Sequence, residues 1–337
     1  MAEAPKERRS ERETRDAKEN PPGDNGRTPG RPGGLEGSTK KDTIKRTFRE
    51  FSADNGTDYA AALTYYGVLA LFPALIALVS LLGLFGQGAI DELMKNVQEV
   101  APGPARDIVT SALENLKGNQ GAAGIAFVIG LVLAINSASG YIGAFTRASN
   151  EIYEVEEGRP IWKLKPAQIG ITLVLLVLLV LVIVGVAVSG PLAKEVGKLV
   201  GVGDSAATIW DIAKIPVILG IVSFMFAFLY WAAPNVKQPG FRWISPGGVL
   251  ALVVWILASL AFALYVATFA SYNKTYGSMG GVVAFLVWMW LTNIAILLGL
   301  EFNAELQRGQ RIEAGHDAPL DEPFLEPRDT AKLEKSK

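Results

Sequence analysis

The chain has 337 residues, of which 50% are hydrophobic and only 19% charged, with a formal net charge of −1 and a mean hydropathy of +0.28; this balance is too apolar for a pair of soluble domains. The lack of cysteine excludes disulfides, zinc-thiolate sites, iron–sulfur clusters and thiol nucleophiles, and the single histidine, His316, excludes His-rich metal clusters and a Ser-His-Asp triad in the folded part. Charge of mixed sign offers no basic field to a polyanion, so no nucleic-acid partner is expected.

The charges are unevenly spread. Residues 1–58 hold 13 Lys+Arg and 12 Asp+Glu, residues 301–337 hold 6 and 9, and only 25 remain for the 242 residues between them. The middle therefore reads as a membrane domain. From Met1 to about Lys41 mixed charges give way to Pro21, Pro22, Gly23, Pro29, Gly30, Pro32, Gly33 and Gly34, a composition that buries almost nothing and predicts disorder. No apolar stretch follows the first charges, so the start is not read as a cleavable signal, and the first hydrophobic segment is read as an uncleaved anchor. The expected layout is a disordered N-terminal tail at 1–44, a transmembrane domain at 45–310 and a disordered C-terminal tail at 311–337.

A bilayer core about 30 Å thick needs about 20 helical residues, and each charge within it costs roughly 2.5–3.5 kcal/mol on insertion scales. Six charge-free runs are long enough, with helices expected near 60–86, 122–146, 167–190, 210–233, 245–271 and 279–304. The fold class is thus an all-α polytopic bundle; the runs are too long, and lack the alternation, for strands of a membrane barrel. Counting basic residues that flank the spans gives 13 on the side of the N-terminus and 7 opposite. The positive-inside rule then places both termini in the cytoplasm of an inner or plasma membrane protein.

Between the first two spans, Ile90, Leu93, Met94, Val97 and Val100 recur at helical spacing, Pro102-Gly103-Pro104 interrupts, and Ile108, Ala112, Leu113 and Leu116 resume. Two extracytoplasmic amphipathic helices are expected over 87–120, either capping the bundle or lying on the lipid surface. Pro73 falls within the first span, where a missing donor and a ring clash predict a kink. Gly277 and Gly281 form a Gly-x-x-x-Gly at the mouth of the sixth span, a close-packing signal. Asn136, in the second span, and Asn293, in the sixth, are read as hydrogen-bonding groups seeking a neighbouring helix, with a substrate site as the alternative.

The inner ends of the second and sixth helices carry the most informative charges. Glu301 and Glu305 are four residues apart and share a face, with Asn303 beside them; Arg147 ends charge-free sequence and is followed by Asn150. A carboxylate at the edge of the hydrocarbon requires a cation, so Arg147 is expected to meet the Glu301/Glu305 face, as a clamp between helices or as a gate.

The run Ala61-Ala62-Leu63-Thr64-Tyr65-Tyr66 to Leu71-Phe72-Pro73, the Arg147-x-x-Asn150-x-x-Tyr153 element, Ala233-Pro234-Asn235, and Tyr276-Gly277-Ser278 through Trp288 and Trp290 to Gly299-Leu300-Glu301-Phe302-Asn303-Ala304-Glu305 resemble the YihY/virulence factor BrkB family over residues 45–310. The resemblance implies a six-helix inner-membrane protein without a settled activity, variously named a serum-resistance factor, a transporter-like protein and ribonuclease BN. It carries over no catalytic or binding residues. A nuclease would need convergent His/Asp ligands, a histidine pair or carboxylates beside a basic groove, and the sequence offers none of these. The expected function is therefore non-enzymatic and cofactor-free: a transporter or flippase-like protein whose partners are membrane lipids and a lipid or amphipathic substrate, or, alternatively, an envelope scaffold. No Gly-x-x-x-x-Gly-Lys-Ser/Thr element supplies ATP hydrolysis. Oligomeric state is not encoded in any motif found.

Overall fold

A computed structural model describes residues 37–84, 120–187, 205–238, 240–268, 278–313 and 325–334. The described residues are helical: α1 Gly37–Ala53, α2 Gly56–Leu84, α3 Gln120–Ile152, α4 Ile161–Ala187, α5 Ser205–Ala232, α6 Pro246–Thr268, α7 Ser278–Glu313 and a single turn, α8, Ala331–Glu334. Five helices, α3 to α7, contain segments long and apolar enough to cross a membrane. α2 is helical where the first span is expected, with Pro73 inside it. The amphipathic pair expected over 87–120 lies outside the described residues up to residue 119.

α2 packs along α3 and α6 along α7; α7 also crosses α1 and α2, while α4 joins α3 to α5. The buried core sits at one end of this bundle, where Phe145, Tyr153, Tyr230, Leu297, Leu300 and Val236 are enclosed. Away from that end, large apolar side chains such as Ile125, Val132, Val180, Leu257 and Val283 point outward. In lipid this costs nothing, because the tails solvate them as well as a neighbouring leucine would.

The helix ends at this core end follow from local chemistry. Asn55, at φ 55°, turns the chain between α1 and α2 in the left-handed region that Asn tolerates. α3 closes with a Schellman motif: the Val155 N–H donates to Asn150 O and the Glu154 N–H to Glu151 O, with Glu154 itself at φ 55°. Ser245 starts α6 by accepting a hydrogen bond on Oγ from the Gly248 N–H at 2.9 Å, ahead of Pro246 in the first turn.

Four boundaries differ from those expected. α1 begins at Gly37 rather than after residue 44, and Thr43 and Thr47 are buried against the bundle. α3 and α7 run past Arg147 and Glu301 to Ile152 and Glu313, because their charges find partners or burial within the bundle and do not end the helix. The C-terminal tail is not uniformly disordered: residues 325–334 form a strap, packed through Leu325 and a β-bridge between Val236 and Pro327. Its composition is polar, and it docks through backbone hydrogen bonds that hydropathy does not register.

Candidate functional site

The polar residues of the core end form three connected groups. In the first, Glu305 on α7 is almost wholly buried and accepts a hydrogen bond from Arg46 Nε on α1 at 2.9 Å, with Arg308 Nε 3.3 Å from its other oxygen. Arg308 also donates to the Glu154 carboxylate, which holds the strained residue of the Schellman turn in place. Tyr153, the residue before Glu154, receives Gln307 and Gln238 Nε2 at 3.5 Å each. Burial holds its hydroxyl well above the usual tyrosine range; the Gln307 bond opposes this, and the buried charge of Glu301 adds to it.

The second group ties α3, α5 and the strap together. Asn150 Oδ1 accepts the Asn235 backbone N–H at 2.8 Å, and its Nδ2 donates to Glu157 at 2.9 Å. Glu157 is gripped by Arg159 through Nε at 2.8 Å and Nη2 at 2.7 Å, while Arg159 Nη2 also donates to Ala233 O. Burial alone would raise the Glu157 carboxyl, but the Arg159 hydrogen bonds and charge outweigh it and leave it below the usual range. Asn235 Nδ2 donates to Glu156 O and to Asp329 O, and its Oδ1 accepts the Asp329 N–H. The strap is completed by Lys237 N to Glu326 O, Arg328 N to Asn235 O and Lys332 N to Gly158 O, with Lys163 Nζ on Asp329 at 2.6 Å. Gly158 is required here, since a Cβ would sit 1.9 Å from Asp329 O.

In the third group Asn303 Oδ1 caps the first turn of α6 by accepting the Gly247 N–H at 2.7 Å. A Cβ on Gly247 would meet Gly299 O at 2.0 Å, so α6 and α7 cross with bare backbones in contact.

Farther along the bundle Asn293 joins three helices. Its Oδ1 accepts the Tyr141 hydroxyl at 2.8 Å and its Nδ2 donates to Thr64 Oγ1 at 3.0 Å. Trp255 and Trp288 donate across α6 and α7 to Thr292 and Ser259.

These positions sort the residues singled out in the sequence. Asn150, Asn303, Glu301 and Glu305 are all buried at the core end, and Asn293 does join neighbouring helices. Arg147 does not meet the carboxylate face: it is exposed, with its guanidinium 5.8 Å from the centre of the Tyr66 ring, and Arg46 takes its place on Glu305. Sequence distance hid this pair, because 259 residues separate its members. Asn136 is exposed, its backbone carbonyl accepting Ser139 Oγ, and among the described residues no hydrogen bond carries its side chain to another helix. Gly281 faces open space, and Gly277 lies outside the described residues. The close helix approach is made by Gly247 and Gly299 instead, which have no four-residue spacing to reveal them. Arg159, Glu157 and Asn235 were missed as site residues; the signs of them are the charged Glu156-Glu157-Gly158-Arg159 turn, too short to remain solvated between two apolar helices, and the Ala233-Pro234-Asn235 element of the family resemblance.

The placement of Glu305 between Arg46 and Arg308 predicts coupling. Arg46→Ala and Glu305→Ala should each destabilise the protein in detergent, and a double-mutant cycle should return about 1–2 kcal/mol of interaction, below a fully dry pair because Arg46 is partly exposed. Arg147→Ala should cost under about 1 kcal/mol, the worth of an exposed cation–π contact.

A comparison with known families decides the affiliation: the model of virulence factor BrkB matches residues 47–322. The chain belongs to the virulence factor BrkB family. The chain is 32% identical to a Bacillus subtilis protein named "Putative ribonuclease-like protein YfkH" over 274 residues, 80% of this chain and 96% of that one. It is 29% identical to a UPF0761 membrane protein of Alkalilimnicola ehrlichii, covering 76% of this chain but 56% of the relative, and 26% identical to UPF0761 membrane protein MS0032 of Mannheimia succiniciproducens, covering 79% and 89%. The chain thus spans little more than half the length of some curated relatives. No solved structure matches.

The BrkB family match stops at residue 322, whereas the strap begins at Leu325. Its grip depends on pH in a defined direction. Lys163's hydrogen bond, then that of the Ala331 N–H, lowers the Asp329 carboxyl; the Lys237 bond lowers Glu326; and Glu157 is lowered as described. Groups with depressed folded-state values stabilise above their unfolded value, about 4, and that contribution disappears as pH falls through the folded value. The strap should therefore stay docked at neutral and mildly acidic pH and release below about pH 4. Limited digestion with an acid-active protease should then cut near residues 325–334, with the membrane helices still protected.

Proposed function

We propose that this BrkB family member is a non-enzymatic inner or plasma membrane protein with six spans and both tails cytoplasmic, which moves a lipid or a similar amphipathic solute between leaflets. The observation that carries this reading is a shallow, open apolar depression of about 480 Å³ between α6 and α7, lined by Phe262, Ala263 and Val266 of α6 and by Ala284, Phe285 and Trp288 of α7. A groove with such a lining suits an acyl chain and not an ion or a sugar. The 13 to 7 excess of basic residues at the core end supports a cytoplasmic position for it, and α2, with no charge after Asp58, supports a sixth span. The ribonuclease-like name belongs to the Bacillus relative, and among the described residues no three His, Cys, Asp or Glu side chains gather as metal ligands.

One observation favours the scaffold reading instead. Asn293, Tyr141, Thr64, Thr292 and Trp255 spend their hydrogen bonds on one another, as helix glue does. Reconstitution separates the two. In vesicles carrying a fluorescent phospholipid, a membrane-impermeant reductant should bleach the inner-leaflet pool when the protein is present, and Ala284→Trp, which fills the groove, should abolish that access. Bleaching confined to the outer leaflet with the wild-type protein refutes lipid movement and leaves the scaffold. Topology is tested in the same cysteine-free background: thiols introduced at Ser38 and Ser336 should resist an impermeant reagent in intact cells, and one at Ser111 should react.

A further inference from the structure

The first helix is amphipathic in the inverse of the usual sense. The side of α1 turned into the bundle is largely polar: Thr43 is 4% exposed, Thr47 1% and Glu50 7%, and Arg46 reaches Glu305, with Phe51 near the helix end as its buried apolar residue. The side turned outward carries Ile44, 51% exposed, and Phe48, 58% exposed, one helical turn apart. Lys45 and Arg49 stand beside them, also exposed, and the Arg49 guanidinium pairs with the buried Glu50 at 2.9 Å. A helix on the surface of a water-soluble bundle buries its isoleucine and phenylalanine and shows its threonines. The reverse arrangement is favourable only where the outward medium is itself apolar.

The depth of α1 can be fixed from its contacts. Arg46 meets Glu305 near the end of α7, and Arg308, one turn on, meets Glu154 at the end of α3. Trp162 and Trp243, both largely exposed, stand at the neighbouring ends of α4 and α6, where Asn303 of α7 caps Gly247. Exposed tryptophans next to Lys163 and Arg242 mark the level at which ring and headgroup meet. Through the Arg46–Glu305 contact α1 is held at the same end of the bundle as these tryptophans, and it leads directly into α2.

We infer that α1 is an in-plane membrane anchor: Ile44 and Phe48 insert between acyl chains at the cytoplasmic interface, and Lys45 and Arg49 rest on anionic phospholipid headgroups. Charge complementarity selects the occupant, since Lys45, with the Glu50-paired Arg49 beside it, flanks an apolar pair and matches an anionic lipid surface and not an uncharged protein face. The inference rests on the bilayer reading of the bundle, but not on transport.

The test uses the full-length chain, whose lack of cysteine makes a single introduced thiol specific. Phe48→Cys, carrying an environment-sensitive fluorophore, is reconstituted in phosphatidylcholine vesicles with and without phosphatidylglycerol. Its emission should shift to the blue and be quenched by a spin label at shallow acyl-chain depth, more so with phosphatidylglycerol, while aqueous iodide has no access. Adding Lys45→Glu and Arg49→Glu should remove the phosphatidylglycerol increment. The same fluorophore at Thr330, on the exposed strap, should respond to iodide alone, which confirms that the protein is inserted and folded. Three outcomes would overturn the anchor: iodide quenching at position 48 in either vesicle; shielding from lipid and iodide alike that is lifted by deleting residues 2–36, which makes that segment the cover; or shielding that depends on protein density, which makes a second copy the cover.

Discussion

Gly247→Ala should be among the most damaging single-methyl changes in the molecule. The added carbon would lie 2.0 Å from Gly299 O and 2.6 Å from the Asn303 side chain, and neither a backbone carbonyl nor a capping residue can rotate away. α6 and α7 must then separate, which costs about 3 kcal/mol or more, at the upper end of overpacking penalties, and also loosens the Asn303 cap. Gly299→Ala should behave alike, because its Cβ would meet Gly247 O at 2.4 Å. Gly281→Ala supplies the contrast: nothing lies within 4 Å, so this helical position should gain roughly 0.5–1 kcal/mol from alanine's smaller entropy loss. Thermal unfolding of the three variants in one detergent checks the ordering. Equal losses at positions 247 and 281 would mean that the two helices do not touch through bare backbone.

Asn235→Ala should release the strap. It removes the donor to Glu156 O and Asp329 O and the acceptor for the Asp329 N–H at one stroke. Each stranded buried group costs about 1–3 kcal/mol, but Asp329 recovers water once the strap lifts, so the net loss should be about 2–3 kcal/mol. The readout is local: a thiol introduced at Ala331 should react slowly in the otherwise native chain and quickly with Asn235→Ala. Asn235→Asp, which keeps the acceptor but loses both donated bonds, should fall between. Unchanged reactivity in the alanine variant would show that Leu325 and the Lys163–Asp329 pair hold the strap without Asn235.

Much of the architecture was legible because a membrane simplifies the code. Charge-free runs of helical length locate α3 to α7, since burial of a charge in hydrocarbon is the one expense that sequence displays directly. The same rule failed at the helix ends. It stopped α7 near residue 304, at a carboxylate that Arg46 and Arg308 hold, and stopped α3 at Arg147, which lies over Tyr66. Within the polar end, residue type was readable but partnership was not: Glu305 needs a cation, yet Arg46, Arg147 and Arg308 all qualify, and only the fold selects among them. The strap was invisible because its recognition runs through peptide groups, which every residue possesses. Gly247 and Gly299 were invisible because their proximity belongs to two helices at once, whereas Gly277 and Gly281 displayed a spacing that a single helix can advertise without using.

The strap also sets an order of events during synthesis. Residues 325–334 leave the ribosome after α1 to α7, so the Asn235 side chain and the Gly158 carbonyl meet water while these helices are already inserting. The face around the α3–α4 turn is therefore closed late, by a piece of chain that takes no part in insertion. A chain cut short before Leu325 would integrate normally and yet present that face open, a defect visible to a protease and silent in any assay of membrane integration.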